Sequence, residues 1–293
     1  MKKAMIIANP SSGKEEAEIY VKRVEQQLTY SGYQTEAKLT AKEGDAAAWA
    51  AAACARGYET VISIGGDGTV NEVVNGLAEK EQRPSLGIVP LGTVNDFARA
   101  LNVPLEPEEA ITIIGQGRLQ KADIGKVNDR YFLNITALGD MAESTAEVSA
   151  KQKTALGSFA YFLEGAKTLV HKHPIDLTVR GAEREWTGRA LLFLAALTNS
   201  VGGFERMAPN AEVDDGKLHC FIIKDTSLPR LVRIAANLIK GDLKEDPDVL
   251  YFRANPVTIS SKEPLKANID GDIGGEVPLT LQVLRKHIAV WVP

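Results

Sequence analysis

Cysteine is scarce in this chain: two in 293 residues, Cys54 and Cys220, far apart and in no C-x-x-C or metal-ligand spacing. That excludes a disulfide framework and reads as two reduced core thiols in a reducing compartment. The four histidines, His171, His173, His219 and His287, supply no zinc pattern. The first two lie two apart, a spacing that does not share a helix face. Aromatics make up only 6% and are scattered, so no base-stacking surface is indicated. Positive charge is not in excess. The net charge is −4, which argues against a wholly basic surface, and nucleic acid is not an expected partner. Long apolar runs are missing as well. The longest, Ala190 to Leu197, is far short of the ~20 residues that a spanning helix needs. Lys2 and Lys3 precede too few apolar residues before Asn9-Pro10 for a signal peptide, so this segment is expected to be a buried first strand. No repeat or low-complexity tract is evident.

What is present is an ordinary globular composition, 44% hydrophobic and 25% charged, in a length that suits one large or two ordinary domains. One stretch organises the rest. The β-branched run Val61-Ile62-Ser63-Ile64 stops at Gly65-Gly66-Asp67-Gly68-Thr69, and a helical pattern follows with Val70, Val73, Val74 and Leu77 on one face. A strand, a glycine turn and a helix N-terminus make an anion site, because backbone N–H groups and the helix dipole both favour negative charge there. Asp67 is out of place beside a phosphate unless a cation stands between them, which suggests Mg²⁺. The same glycines would also serve a plain strand-to-helix turn.

Along the chain, Ala4 to Ala8 reads as a buried strand and Asn9-Pro10-Ser11-Ser12-Gly13-Lys14 as a polar loop able to take phosphate. Ala17, Val21, Val24 and Leu28 mark a helix that ends at Ser31-Gly32. Thr35 to Leu39 is a strand. Asp45 is the expected N-cap of an alanine-rich helix that Gly57 stops. A strand at Thr60 to Ile64, a helix from Thr69 and a strand at Leu86 to Pro90 follow. Leu91-Gly92-Thr93-Val94-Asn95-Asp96 is then a second glycine turn at a strand end, where open parallel sheets bind ligands. Pro107 to Ile114 is a helix. The alternation predicts a doubly wound, Rossmann-like α/β domain over residues 1–122. Beyond it the texture changes. Leu119 to Val127 and Arg130 to Ala137 form a hairpin around Asn128-Asp129, and a helix is expected over Leu156 to Val170. Strands are expected at Ile175 to Arg180, Trp186 to Thr198, Leu218 to Lys224, Val249 to Phe252, Pro256 to Ser260, Leu265 to Ile269 and Leu279 to Leu284. One helix, capped by Ser227 and closed by Gly241, interrupts them. Strands without alternating helices predict an antiparallel β-sandwich over residues 123–285.

These motifs resemble the catalytic domain of diacylglycerol kinases, in particular the small bacterial lipid kinases of that family. The resemblance rests on Gly65-Gly66-Asp67-Gly68-Thr69 with Asn71-Glu72 and Asn75-Gly76, and on Pro90-Leu91-Gly92-Thr93 with Asn95-Asp96-Phe97-Ala98. Asn9-Pro10, Asp123-Ile124-Gly125, Gly202-Gly203, Ala208-Pro209, Asp214-Asp215-Gly216 and Asp270-Gly271-Asp272 extend it end to end. The first box alone is shared with NAD kinases and, more loosely, with phosphofructokinases.

The resemblance implies an α/β domain and a β-sandwich, with a last strand within residues 286–293 returning to the first domain and ATP in a cleft between the two. It implies nucleotide contacts at Asn9, Pro10, Ser11, Ser12, Gly13, Lys14, Thr40, Ile64, Gly65, Gly66, Asp67, Gly68, Thr69, Val70 and Thr93. Asp67, Asp96, Asp123 and Asp270 would hold the catalytic Mg²⁺ through an acid–water network. A structural Mg²⁺ would sit at Asp215 with carbonyls of Glu212 and Lys217. Read without the family, Asp214-Asp215-Gly216 is simply a turn. Asp272 would be the general base. Here the chain departs from the usual Asp-Gly-Glu by one methylene, and Val94 replaces a usually small residue. The expected activity is ATP- and Mg²⁺-dependent phosphorylation of a lipid alcohol, diacylglycerol to phosphatidic acid. An NAD kinase-like transfer and a non-catalytic nucleotide- or lipid-binding pseudokinase remain as alternatives. The expected setting is cytoplasmic with transient attachment to a membrane surface. Lysines around Lys151 to His173 are a candidate contact, and a homodimer stays open.

Overall fold

The structure, a computed structural model, describes residues 2–13, 16–139, 174–201 and 207–293. Lys14, the helix expected over Leu156 to Val170 and Gly202-Gly203 lie outside the described residues. The chain forms two compact units, Met1–Ile124 with Arg285–Pro293, and Gly125–Leu284.

The first unit alternates β1 (Lys2–Ala8), α1 (Ala17–Tyr30), β2 (Tyr33–Leu39), α2 (Asp45–Ala55), β3 (Thr60–Gly65), α3 (Asp67–Leu77) and β4 (Ser85–Pro90). The short helices α4 (Asp96–Ala100) and α5 (Pro107–Ile113) follow, then β5 (Arg118–Val127), along which the chain passes into the second unit. Strands β4, β3, β1 and β2 lie side by side and all pair in parallel. The last strand adds a parallel pair, Val290 to Leu86. Every residue of β3 is buried, as a strand covered on both faces requires. Ile6, Ile62 and Ile64 pack with Val24 and Leu28 of α1 and with Ile111. Helices α2 and α3 meet at Gly76, where a Cβ would lie 2.2 Å from the Ala47 carbonyl oxygen and 2.8 Å from the Ala50 Cβ. That close approach explains both the alanine-rich helix and a glycine inside α3.

Two helix starts differ from expectation. α3 begins at Asp67 rather than Thr69, because Gly66 takes the extended N-cap position. Asp45 is not the cap of α2. Gly44, at φ +87°, holds that place, and Asp45 Oδ2 turns back to accept the N–H groups of Ala41 and Lys42. The orphan donors at this end, Gly44 N and Ala46 N, go to Glu72 Oε2 of α3 at 3.0 and 3.2 Å.

The second unit contains β6 (Arg130–Phe132), β7 (Ile135–Leu138), β8 (Ile175–Gly181), β9 (Glu185–Ala196), β10 (Leu218–Lys224), α6 (Leu228–Lys240), β11 (Val249–Ala254), β12 (Val257–Ser261), β13 (Lys266–Ile269) and β14 (Asp272–Glu276). The final strand β15 (Leu279–Val292) starts in it. Its strand pairs are antiparallel. One core, including Phe132, Phe193, Leu218, Val257 and Leu281, fills the sandwich. A second lies under α6, where Leu231, Ile234 and Leu238 meet Leu191, Phe221 and Ile223. Ser227 occupies the N-cap of α6 without a side-chain capping bond, and Gly241 closes the helix at φ +85°.

Three strand expectations are corrected. The run Arg130 to Ala137 is broken after Phe132, because Leu133, Asn134 and Ile135 give their N–H groups to the Asp270 carboxylate instead of a ladder. Asp272–Glu276 is a strand, paired to β13 around a two-residue Asp270-Gly271 turn. The separate last strand is continuous with Leu279, and the chain bends within it at Lys286, φ +49°.

Candidate active site

The two glycine turns of the first unit touch. A Cβ on Gly92 would lie 2.7 Å from the Gly66 Cα, and one on Gly66 would lie 3.1 Å from the Gly92 Cα. A side chain does not fit at Gly92, and at Gly66 one fits only if the facing backbone gives way by a few tenths of an ångström, so the approach of the two backbones favours glycine at both. Asn95 locks the second turn. Its Oδ1 accepts Gly92 N at 3.0 Å and its Nδ2 donates to Gly92 O at 2.8 Å, with φ at +56°. Asn95 N then donates to Asp67 Oδ2 at 2.8 Å, which joins the two turns through the acid that looked out of place. Gly65 is bare for a different reason: a Cβ there would meet Thr69 Oγ1 at 2.5 Å.

Burial raises the Asp67 carboxyl above its ordinary range, and the charge of Asp96 adds to that. The N–H groups of Asn95 and Asp96 oppose both. Asp96 is itself buried. A carboxyl whose ionisation is opposed by burial and by a neighbouring carboxylate belongs to a donor set that a divalent cation relieves, and Mg²⁺ is commonly held by one or two carboxylates plus phosphate oxygens. These residues fit the metal. Asp123, also buried, accepts Lys286 N at 2.6 Å within the same unit.

Beside this joint lies a cavity of about 310 Å³ lined by Asn9, Ser11, Thr40, Thr69 and, from residues for which no ligand contact was expected, Ala41, Lys42, Glu43, Ala46 and Glu72. Glu72 stands one helical turn from Thr69, so i,i+3 spacing was the signal for it. Because Glu72 already satisfies the α2 N-terminus, the open helix end is that of α3, which has no side-chain cap. Pro10, Ser12 and Gly13 continue the first loop, and a Cβ on Gly13, at φ +61°, would lie 3.2 Å from the Leu91 Cβ. Ile64 and Val70 are core side chains, so only their backbone is available to a ligand. Gly68 and Thr93 are exposed.

In the second unit, Asp270 sits at φ +50° and receives three N–H groups at 2.6 to 2.9 Å. Gly271 follows at φ +104°. The turn aims Asp272, at the start of β14, into solvent. Asp-Gly between paired strands is the strongest short hairpin signal and was available in the sequence. Asp215 Oδ1 accepts Lys217 N at 2.9 Å, and Oδ2 meets His219 Nε2 at 2.8 Å. Its burial is outweighed by these bonds, with the Glu212 segment assisting, and the carboxyl is held below its ordinary range. Glu212 O accepts Asp215 N, and both Glu212 and Lys217 are exposed. His219, fully buried, has Tyr251 Oη on its other nitrogen at 2.8 Å. It anchors Asp215, a role the sequence did not suggest. Among the described residues no group of three or more His, Cys, Asp or Glu side chains is arranged to hold a metal by itself.

Residues 3–127 match the family model described as diacylglycerol kinase catalytic domain. Residues 138–292 match that of the YegS C-terminal NAD kinase beta sandwich-like domain. Over 292 residues the chain is 41% identical to the diacylglycerol kinase of Staphylococcus saprophyticus, with all of this chain and 96% of the relative covered. The same identity holds for the diacylglycerol kinase of Staphylococcus carnosus, 95% of which is covered. A solved diacylglycerol kinase structure from Bacillus anthracis superimposes with a TM-score of 0.85 at 27% identity, covering all of this chain and 97% of that one.

Proposed function

The chain belongs to the diacylglycerol kinase family, and from that premise we propose that it transfers the γ-phosphoryl group of ATP to the hydroxyl of diacylglycerol, giving phosphatidic acid. The observation that carries this reading is the joint at Asp67: two glycine turns in backbone contact, an uncapped helix end, and an acid raised by burial and by a second acid. The α3 N–H groups receive the phosphates. The cavity of Asn9, Ser11, Thr40 and Thr69 takes the rest of the nucleotide. Mg²⁺, when bound, neutralises phosphate charge and relieves the repulsion between Asp67 and Asp96. We assign Asp123 to the same acid–water network, and a structural Mg²⁺ to Asp215 with the carbonyls of Glu212 and Lys217.

Asp272 is the base in this reading. It is exposed, and its backbone is fixed by the Asp270-Gly271 turn. It takes the acceptor's proton while the acceptor oxygen bonds to phosphorus and the electron pair of the broken P–O bond leaves on ADP. Among the described residues no helix is long and apolar enough to cross a membrane, so the enzyme meets its lipid at a membrane surface on this reading. The test is Mg²⁺-dependent ATP consumption with diacylglycerol micelles, sphingoid bases and NAD offered separately. Turnover with diacylglycerol is expected. Phosphorylation of NAD alone would overturn the proposal, and no turnover with any acceptor would favour a pseudokinase.

A further inference from the structure

The face of β14 that carries Asp272 also holds a guanidinium. Asp272 pairs with Ile269 and Ile273 with Asn268, and the register shifts only beyond them, where Gly275 turns to φ +80°. In a regular strand, residues two apart share a face, so Asp272 and Gly274 lie on one side of β14, roughly 7 Å apart. A Cβ on Gly274 would lie 1.8 Å from Arg130 Nη1 and 2.9 Å from Arg130 Cζ. The guanidinium of Arg130, from the start of β6, therefore rests on the bare backbone of Gly274. Gly274 is buried, although Ile273 and Gly275 on either side are exposed. Arg130 itself is exposed, and no hydrogen bond or ion pair joins its guanidinium to another side chain or backbone group among the described residues. Arg233, by contrast, meets both Asp246 and Asp248. A guanidinium is a fork of N–H donors that matches phosphate oxygens two at a time. Contact with Gly274 limits where this fork can go, so a ligand there has less ordering to bring about.

We propose that Arg130 binds the phosphoryl group during transfer, donating N–H bonds to its non-bridging oxygens while Asp272 takes the acceptor's proton. This rests on the lipid-kinase reading. A base must stand about 3 Å from the oxygen that it deprotonates, and in the transfer phosphorus is the next atom beyond that oxygen. The phosphoryl oxygens thus come within reach of a guanidinium held two residues from Asp272 on the same face. The acceptor oxygen bonds to phosphorus, the P–O bond to ADP breaks with its electron pair leaving on ADP, and the proton passes to Asp272. Arg130 exchanges no proton. Its positive charge faces the charge spread over the non-bridging oxygens. Gly274 acts through Arg130, as the positioning residue that leaves room for the guanidinium.

The test compares wild type, Arg130→Gln, Arg130→Lys, Gly274→Ala and the double variant of Arg130→Gln with Gly274→Ala. Each is followed in thermal melts, in ATP binding, and in kinetics against diacylglycerol in mixed micelles. Arg130→Gln should lose about 10²-fold to 10³-fold in kcat, the range of one preorganised donor to developing charge, with ATP affinity and the KM for lipid near wild type. Arg130→Lys keeps the charge without the fork and should recover part of the loss. Gly274→Ala displaces only the end of a flexible side chain, so it should fold and melt near wild type and still lose kcat. In the double variant the two losses should not multiply, because both act on one guanidinium. Wild-type kcat in Arg130→Gln would overturn the proposal. So would a fall in ATP affinity as large as the fall in kcat/KM, since Arg130 would then hold the nucleotide equally before and during transfer. Losses that multiply in the double variant would overturn it as well. If Arg130→Gln does not fold, Gly274→Ala carries the comparison. Should wild type phosphorylate no lipid alcohol, the lipid-kinase reading itself fails. Failure of the Arg130 effect in an active enzyme removes only this inference.

Discussion

The turn after β3 and the turn after β13 both combine aspartate with glycine, and they are built in opposite ways. In the first, Gly66 is bare so that another backbone can approach, and Asp67 is left with burial and a like charge against it. In the second, Gly271 has no atom near its missing Cβ and is needed only for its φ of +104°, while Asp270 is saturated by three N–H groups. An acid held at a cost suits a site completed by a ligand. An acid with its hydrogen bonds made suits a scaffold, and the scaffold's task is to present Asp272.

The largest effect expected from this contrast is on Asp272→Asn. Lipid phosphorylation should fall about 10³-fold, the range of a general base, with ATP binding retained. Asp270→Asn should instead unfold the sandwich more easily, by about 3 kcal/mol in denaturant titration, since three charge-assisted bonds weaken together. Gly92→Ala should cost about 3 kcal/mol because backbone and Asn95 both stand in the way. Gly271→Ala should cost only about 1 kcal/mol, for the dihedral alone. Equal costs at the two glycines would dissolve the contrast.

Smaller still is Glu72→Ala, which should remove the cap of α2 and about 1 kcal/mol of stability. It should also weaken nucleotide binding, if the cavity wall moves with it. The least effect concerns Glu36. Its pKa is lowered to about 2 by hydrogen bonds from Arg56, then Tyr58, then Lys38. Its folded value lies below the unfolded one, so it adds stability above roughly pH 4.5 that is lost as pH falls towards 2. The cluster is largely solvated, so the loss should stay below about 1 kcal/mol. Acid titration of Arg56→Ala against wild type would read it.

How much of this was legible follows from distance along the chain. The glycine boxes, the first helix and the alternation of strands and helices are local patterns, and they read correctly. The cap of α2 comes from Glu72, 28 residues from Gly44, and no local rule reports it. The break after Phe132 is made by Asp270, 137 residues from Leu133. A continuous β-prone run gave no sign of a distant carboxylate competing for its N–H groups. The Asp270-Gly271 hairpin is a different case. Its signal was local and present, but the triplet was read for chemistry before it was read as a turn. Residue type placed Asp67 and Asp96 as candidates, yet only the structure shows Asn95 joining them.

The most direct test of the contrast is a thermal melt of Asp67→Asn, with and without Mg²⁺ and ATP, beside wild type. The folded pKa of Asp67 is raised, so its contribution to apo stability is present in acid and is lost as pH rises through that value. Near neutral pH, apo Asp67→Asn is therefore predicted to melt at or above wild type. Mg²⁺ with ATP should raise the wild-type melt and leave the variant nearly unmoved. A variant that melts well below wild type, or that gains as much from Mg²⁺ and ATP, would contradict the account.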